Sequence, residues 1–364
     1  MFFSLPPATT RGLKMRNFLI ACLLLLWSFS GVGFTQTEGN VLVANGGIVY
    51  EYTPTGGFVG TLTSDLRNGV FSESRGIAYD RFGRIHVLIR PHDGNDEMFL
   101  TTVDLSQNSI EFNEISFHNH DGNTTFGDIG VDQNYVYAPD QVFARQGQGI
   151  IRYPLDNLGS PERILEQFNP TDVSVGLDGN LYVQMSSGGD IAIINPDTLL
   201  PINQFRTVNS MRDVAATSDG TIFTLHNDNT VRRYSSTGVL EASLELNFRA
   251  NHSLALSENG TIVVGSSGSD LFFTDTSLSG FTQISTPASE ERTWGNFVTF
   301  VESTAAIDDF IGDVNMDGEV NFGDIPAFIA VLQSGEFNAA ADINLDGEVN
   351  FGDIPGFVLV LSSQ

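Results

Sequence analysis

Side-chain oxygens recur at one set of offsets twice near the C-terminus. In "DVNMDGEVNFGD", Asp313, Asn315 and Asp317 stand at positions 1, 3 and 5, Gly318 at 6, Glu319 at 7, Asn321 at 9 and Asp324 at 12. In "DINLDGEVNFGD", 29 residues on, Asp342, Asn344, Asp346, Gly347, Glu348, Asn350 and Asp353 fill the same offsets. Hard oxygens at 1, 3, 5, 9 and 12, with a backbone carbonyl at 7 and glycine at the sharp turn, form the loop template for a calcium ion. Both copies end on Asp rather than Glu. Asp is one methylene shorter, so each loop must close more tightly to reach an ion. An acidic tail has no reason to place glycine and six oxygen donors at matching offsets twice.

Each loop runs into a short apolar segment, "IPAFIAVLQ" or "IPGFVLVLS". Ile325, Phe328, Ile329 and Leu332 fall at helical spacing, and the proline lies where a helix start tolerates it. No comparable helix precedes either loop, so the unit is loop plus exiting helix, duplicated, with the two helices expected antiparallel. Without metal the crowded carboxylates repel. Residues 312–364 are therefore expected to be disordered without calcium and to fold with it.

Two loops, the same offsets, Asp at 12 and apolar exit helices resemble a type I dockerin over residues 312–364. The resemblance implies two Ca2+ ions held by the residues just named, and attachment to a protein partner of the cohesin type. Dockerins of cellulosomes recognise cohesins through positions 10 and 11, which often carry Ser-Thr-like pairs. Here those positions are Phe322-Gly323 and Phe351-Gly352, a departure that bears on the partner and leaves calcium binding untouched.

The long middle of the chain is also repetitive. "GIAYDRFGRIHVL", "DIGVDQNYVYA", "DVSVGLDGNLYVQ", "DVAATSDGTIFTL" and "SLALSENGTIVVG" each read as strand, tight turn, strand. Gly83, Asn134, Gly179, Gly220 and Gly260 mark the turns, at spacings of 51, 45, 41 and 40 residues, and the Asn134 turn is one residue shorter. Two more apolar strands follow each hairpin. Four strands per 40–45 residues is a propeller blade. The segment "EGNVLVANGGIVYEYTPTGGFVGTL" holds only the second, third and fourth strands of a blade, with Gly39 at its turn position. "WGNFVTFVE" at the far end supplies the missing first strand, Phe297 to Val301. The expected fold is thus mainly β: a six-bladed β-propeller over 38–302, closed by its terminal strands, then the small helical domain. The blade pattern resembles the NHL and SMP-30/gluconolactonase-like propellers. That superfamily includes lactonases, lyases and binding platforms, so the fold assigns no activity.

Residues just before each innermost strand are expected at one mouth of the channel. They are Gly76, Asp128, Asp172, Asp213, Ser253 and Asn296, with Arg75, Arg212 and His252 one residue earlier. Asp128, Asp172, Asp213, His252 and Asn296 form a candidate rim for a cation, carbohydrate or other small ligand. The alternative is that the aspartates accept backbone N–H groups in blade-to-blade turns. His118-x-His120 has strand spacing but reads as surface. His226 and His252 lie near the expected mouth.

Forty-four acids face 17 bases, a surface that repels nucleic acid and anionic membranes. "FLIACLLLLW" behind Arg11, Lys14 and Arg16 reads as a secretory signal peptide over residues 1–33, too short for a membrane span. Met15 offers a second start. "LIAC" resembles a lipobox, but the apolar run continues past Cys22. Cleavage near Gly33 leaves no cysteine and no membrane span. Residues 303–311 read as a linker. No nucleophile triad, phosphate loop or catalytic carboxylate pair stands out. The leading expectation is a secreted or cell-surface, calcium-binding attachment protein with a propeller as scaffold. Two alternatives stay open: an enzyme or accessory of polysaccharide catabolism, and a propeller lactonase or lyase.

Overall fold

A computed structural model describes residues 36–301 and 312–362. Left outside the first stretch are 64–65, 67–71, 92–97, 106–108, 116–126, 141–148, 186–188, 209, 248–249, 267–269 and 287–294. Left outside the second are 316–319, 335–337, 339, 342 and 344–348. The expected signal peptide and linker, and His92, His118 and His120, lie outside the described residues.

Among the described residues, 24 strands form six four-stranded antiparallel sheets. Blade two runs Ser72–Tyr79, Arg84–Pro91, Met98–Asp104, Ser109–Ile115 from the axis outward. Blade three is Gly130–Val131, Tyr135–Pro139, Ile150–Pro154, Glu162–Ile164; blade four is Pro170–Val175, Leu181–Met185, Asp190–Ile194, Pro201–Arg206. Blade five is Met211–Ala216, Ile222–His226, Thr230–Tyr234, Leu240–Glu245; blade six is Ala250–Leu256, Thr261–Ser266, Asp270–Asp275, Thr282–Ser285. Blade one is built from both ends of the propeller. Phe297–Phe300 is its inner strand, followed by Val41–Asn45, Ile48–Tyr52 and Phe58–Thr63. The closing pair runs Val41 against Phe300 to Ala44 against Phe297. Each inner strand lies against those of both neighbours, and blade six's lies against blade one's, so the ring is complete.

The apolar pattern explains this stacking. Middle strands are buried on both faces, so they read as continuous apolar runs rather than alternating ones. In "VLVA", Val41 and Val43 pack toward blade six, with Val263 and Leu271, while Leu42 and Ala44 pack toward blade two, with Ile77 and Ile85. Four further interfaces repeat the arrangement, giving one apolar cluster between each pair of neighbouring blades. Outer strands such as Pro201–Arg206 and Leu240–Glu245 are half-buried on one face and exposed on the other.

The hairpin turns are nearly identical. In four of them the amides pair across four residues, as with Gly176 N to Asn180 O at 2.9 Å, and a glycine such as Gly179 takes a positive φ of 77° that few other residues adopt cheaply. In blade three Asp132 N bonds Tyr135 O instead, and this turn is one residue shorter.

The C-terminal segment holds α1 (Ile325–Ser334) and α2 (Ile354–Ser362), with a single 3-10 turn over Phe322–Asp324 ahead of α1. Val314, Phe328, Ala341 and Phe357 form its buried core, flanked by Ile325, Val331, Ile343 and Val349. The Phe328 and Phe357 rings stack at 4.1 Å with planes 18° apart. These two phenylalanines occupy the same place in the two copies, so each loop–helix unit caps the other. Among the described residues, no helix is long and apolar enough to cross a membrane.

Candidate functional site

Two groups of oxygen-bearing side chains merit a chemical account: the inner ring of the propeller and the duplicated loops.

Asp172 and Asp213 lie within their inner strands rather than before them, at a β-bulge that recurs in blades two, four, five and six. A bulge re-aims one side chain. Here it places Gly76, Asp172, Asp213 and Ser253 at equivalent positions, while Asp128 lies two residues before the short inner strand of blade three and Asn296 one residue before that of blade one. All the polar members are buried, and Asp172, Ser253 and Asn296 are wholly inaccessible.

Their partners are mostly backbone amides of neighbouring blades. Asp128 Oδ1 accepts from Ile77 N and Ile129 N, both at 2.9 Å, and Asp128 Oδ2 accepts from Ser253 Oγ at 2.5 Å. Asp172 Oδ1 accepts from Asp128 N at 2.7 Å. Asp213 accepts from Val214 N at 2.6 Å and, with its other oxygen, from Leu254 N. Ser253 Oγ accepts from Val298 N at 3.1 Å, and Asn45 Nδ2 donates to Asn296 Oδ1 at 2.6 Å. Gly76 is the blade-two member of the set because a Cβ there would meet Asp128 Oδ1 at 2.8 Å.

Burial without a cationic partner drives these carboxyls toward the neutral form. Desolvation, then the charge of Asp172, pushes Asp128 up to about 8. Desolvation pushes Asp172 up to about 6, and Asp213 is raised well above the usual carboxylate range by desolvation and the other two acids. Among the described residues, no group of three or more His, Cys, Asp or Glu side chains has the arrangement to hold a metal ion. The His252 side chain lies outside what is described. His226 is buried, with Nε2 2.7 Å from Thr224 Oγ1. Arg75 pairs with Glu73 at 2.7 Å, both buried.

A further network went unread in the sequence. His86 joins Asp80 Oδ2 at 2.8 Å through Nε2 and Thr102 Oγ1 at 2.9 Å through Nδ1, and all three are buried. Acid, imidazole and hydroxyl stand in line, but no face of the chain reaches solvent, so it braces blade two. Asp80 also accepts from Phe82 N and Arg84 N in the turn, and its place in "AYDRFGR" was the only available signal.

In the C-terminal loops Asp313, Asn315, Asn321, Asp324, Asn350 and Asp353 are described. Asp317, Glu319, Asp342, Asn344, Asp346 and Glu348 lie outside the described residues. Asp313, Asp324 and Asp353 are wholly inaccessible. The position-12 carboxylate ties its loop together in both copies. Asp324 accepts from Asn315 N at 3.0 Å and Asn321 N at 2.8 Å; Asp353 accepts from Ile343 N at 2.9 Å and Asn350 N at 2.8 Å. The position-9 side chain caps the turn that follows: Asn321 Oδ1 accepts from Gly323 N at 2.6 Å, and Asn350 Oδ1 from Gly352 N at 2.7 Å. With Asp324 this makes a reciprocal capping box. A carboxylate has about four lone-pair sites, so each position-12 Asp can bond two amides and still face a cation. Buried carboxylates in a segment without one Lys or Arg need such a cation, and the oxygen donor set suits calcium.

Residues 311–354 match the family model of the dockerin type I domain. Dockerin type I domains bind calcium and attach to a protein partner, the cohesin. In this dockerin segment Phe322 and Phe351, at position 10 of each loop, are 75% and 82% exposed. No curated protein matches the chain by sequence. Among solved structures, a chain of a nidogen/laminin complex aligns at TM-score 0.55 and 12% identity, covering 72% of this chain and 99% of that one. A streptogramin B lyase aligns at TM-score 0.44 and 14% identity, covering 71% and 77%. The virginiamycin B lyase of Staphylococcus aureus aligns at 0.43 and 14%, covering 60% and 72%. At these identities the likeness is one of fold.

Proposed function

We propose that this is a secreted attachment protein whose six-bladed body is delivered to a larger assembly by its calcium-loaded dockerin tail. The observation that carries the reading is the duplicated loop. Twice, a buried position-12 Asp gathers the amides of its own loop, and twice the position-9 Asn accepts from the amide two residues on, in the turn ahead of the exit helix. Two Ca2+ ions are assigned, one to Asp313, Asn315, Asp317, Glu319, Asn321 and Asp324, the other to Asp342, Asn344, Asp346, Glu348, Asn350 and Asp353. The position-9 Asn oxygens already accept from Gly323 N and Gly352 N, so their contribution to the ion is assigned through water. Residues 1–33 serve as the export signal, 303–311 as the linker, and the propeller over 38–302 as the scaffold.

A catalytic role at the axis, whether in polysaccharide breakdown or as a lactonase or lyase, needs groups that substrate can reach. The described inner-ring carboxyls are buried and engaged with amides, which favours the scaffold reading.

The test is binding of the full chain to a panel of type I cohesins by calorimetry, in calcium and in chelator. Expected is calcium-dependent binding to at least one cohesin, lost in the double variant Asp324→Ala, Asp353→Ala. Binding that persists in chelator refutes the reading, as does the absence of any calcium uptake by the free protein.

A further inference from the structure

The inner ring links the blades in sequence. Gly47 N of blade one approaches Ser74 Oγ of blade two at 3.4 Å, and Ile77 N of blade two donates to Asp128 of blade three. Asp128 N donates to Asp172 of blade four, and Leu254 N of blade six donates to Asp213 of blade five. Ser253 of blade six receives Val298 N of blade one and also donates to Asp128, 125 residues away. Blades four and five are joined by Leu177 N to Ala216 O at 2.9 Å and by Gln184 Nε2 to Met211 O at 2.8 Å, but their link in the inner ring is of another kind. There the carboxyls of Asp172 and Asp213 face each other, and among the described residues the buried Asp172 Oδ2 has no amide or hydroxyl donor. Two carboxylates cannot share a hydrogen bond unless one carries a proton.

We propose that the inner ring is a proton-dependent clasp: a proton held between Asp172 and Asp213 joins blade four to blade five, and its loss as pH rises loosens the ring.

Among the described residues the charged and titratable groups nearby hold partners of their own. The blade-two inner strand carries Glu73 and Arg75, which pair with each other. Blade three contributes Asp128 itself and Tyr137, whose hydroxyl donates to Asp132 at 2.6 Å. On blade four Tyr182 donates to Asp178 at 2.7 Å. Blade five contributes Arg212, which donates to Asn227, and His226, bonded to Thr224. The blade-one inner strand "FVTF" has no titratable group. His252, on the blade-six strand, has its side chain outside what is described. The charges that act on the three acids are one another's, and burial adds to the same effect.

The sign follows from linkage. These carboxyls hold protons more tightly folded than unfolded. Their contribution is therefore fully present below the ordinary carboxylate range and is lost as pH rises through about 6 for Asp172 and about 8 for Asp128.

Asp172→Asn is the informative variant. Its amide oxygen can still accept from Asp128 N, and its NH2 can donate to Asp213, so it mimics the protonated acid at every pH. Thermal unfolding of the full chain in saturating calcium is followed by near-ultraviolet circular dichroism from about pH 5 to about pH 9. All eight tyrosines lie between Tyr50 and Tyr234 and residues 312–364 hold no Tyr or Trp, so the signal is read in the tyrosine band, which reports the propeller and not the tail. The wild-type midpoint is expected to fall as pH rises, and that of Asp172→Asn to stay nearly level and exceed the wild type on the alkaline side. Equal pH slopes in the two proteins overturn the proposal, as does a wild-type midpoint that rises with pH. If the variant does not fold, infrared spectroscopy of the wild type decides. A protonated-carboxyl C=O stretch at neutral pH that disappears on alkalinisation supports the clasp, and its absence at neutral pH refutes it.

Discussion

Replacing Phe328 by Ala tests whether calcium and the aromatic stack hold the dockerin segment as one unit. Phe328 is 3% exposed and stacks on Phe357 at 4.1 Å. Truncating a buried Phe costs about 3–5 kcal/mol, and the loss here belongs in the middle of that range, near about 4 kcal/mol. A segment of 53 residues has little stability of its own, so the loss must be offset by ligand. If folding is coupled to two ions, the cost is shared at about 2 kcal/mol per ion. The calcium concentration that half-folds the segment then rises roughly 30-fold. If only one ion is coupled, the same loss moves the midpoint roughly a thousand-fold. The assay is far-ultraviolet circular dichroism of residues 312–364 titrated with calcium from a chelated start. The expected result is little helix before calcium and a midpoint displaced about 30-fold in Phe328→Ala. A variant midpoint within about threefold of wild type refutes the coupling, because binding would then not depend on the core. Equal helix content in chelator and in calcium refutes metal-dependent folding itself.

Three other outcomes follow from the propeller. Gly265→Ala places a Cβ 2.0 Å from Asn296 O, a backbone atom at the closing strand, so the urea midpoint should fall by the equivalent of about 3 kcal/mol or more. His86→Ala leaves Asp80 Oδ2 and Thr102 Oγ1 without their buried partner and should cost about 2–4 kcal/mol; a loss below about 1 kcal/mol would mean the Asp80–His86–Thr102 chain is not a brace. Asp80 behaves oppositely to the inner ring. Burial alone would raise its pKa, but the hydrogen bond and charge of His86, with Arg84, hold it below the usual value. Its contribution is present above the ordinary carboxylate range and is lost as pH falls through the depressed folded value. Asp80→Asn should therefore lower neutral-pH stability and flatten the acid limb of a pH–melting profile.

The propeller was legible because its information is local and periodic. Each blade carries its own hairpin, its own turn glycine and its own two-sided apolar strands, so five similar stretches and one split copy suffice to count six blades and to close the ring. The dockerin segment was legible for a related reason. Its loop template is a set of offsets along twelve residues, and "DVNMDGEVNFGD" states them directly. The capping role of Asn321 was readable too, since Asn followed three residues later by Asp at a helix start is a capping signal.

The fate of Asp128, Asp172 and Asp213 was not legible in the same way. Sequence placed them at one level of the ring and offered two uses, an open rim or acceptors for turn amides. Which use applies depends on bulges that re-aim Asp172 and Asp213, and on atoms such as Leu254 N and Ser253 Oγ that approach only when blade six returns to blade one. Ser253 lies 125 residues from Asp128, and no local period relates them. Sequence by itself determined the number of blades, the closing strand and the oxygen sets of the two loops. Tertiary structure alone decided which acids lose their water, because desolvation is a property of the closed ring and of the stacked Phe328–Phe357 core rather than of any one strand or loop.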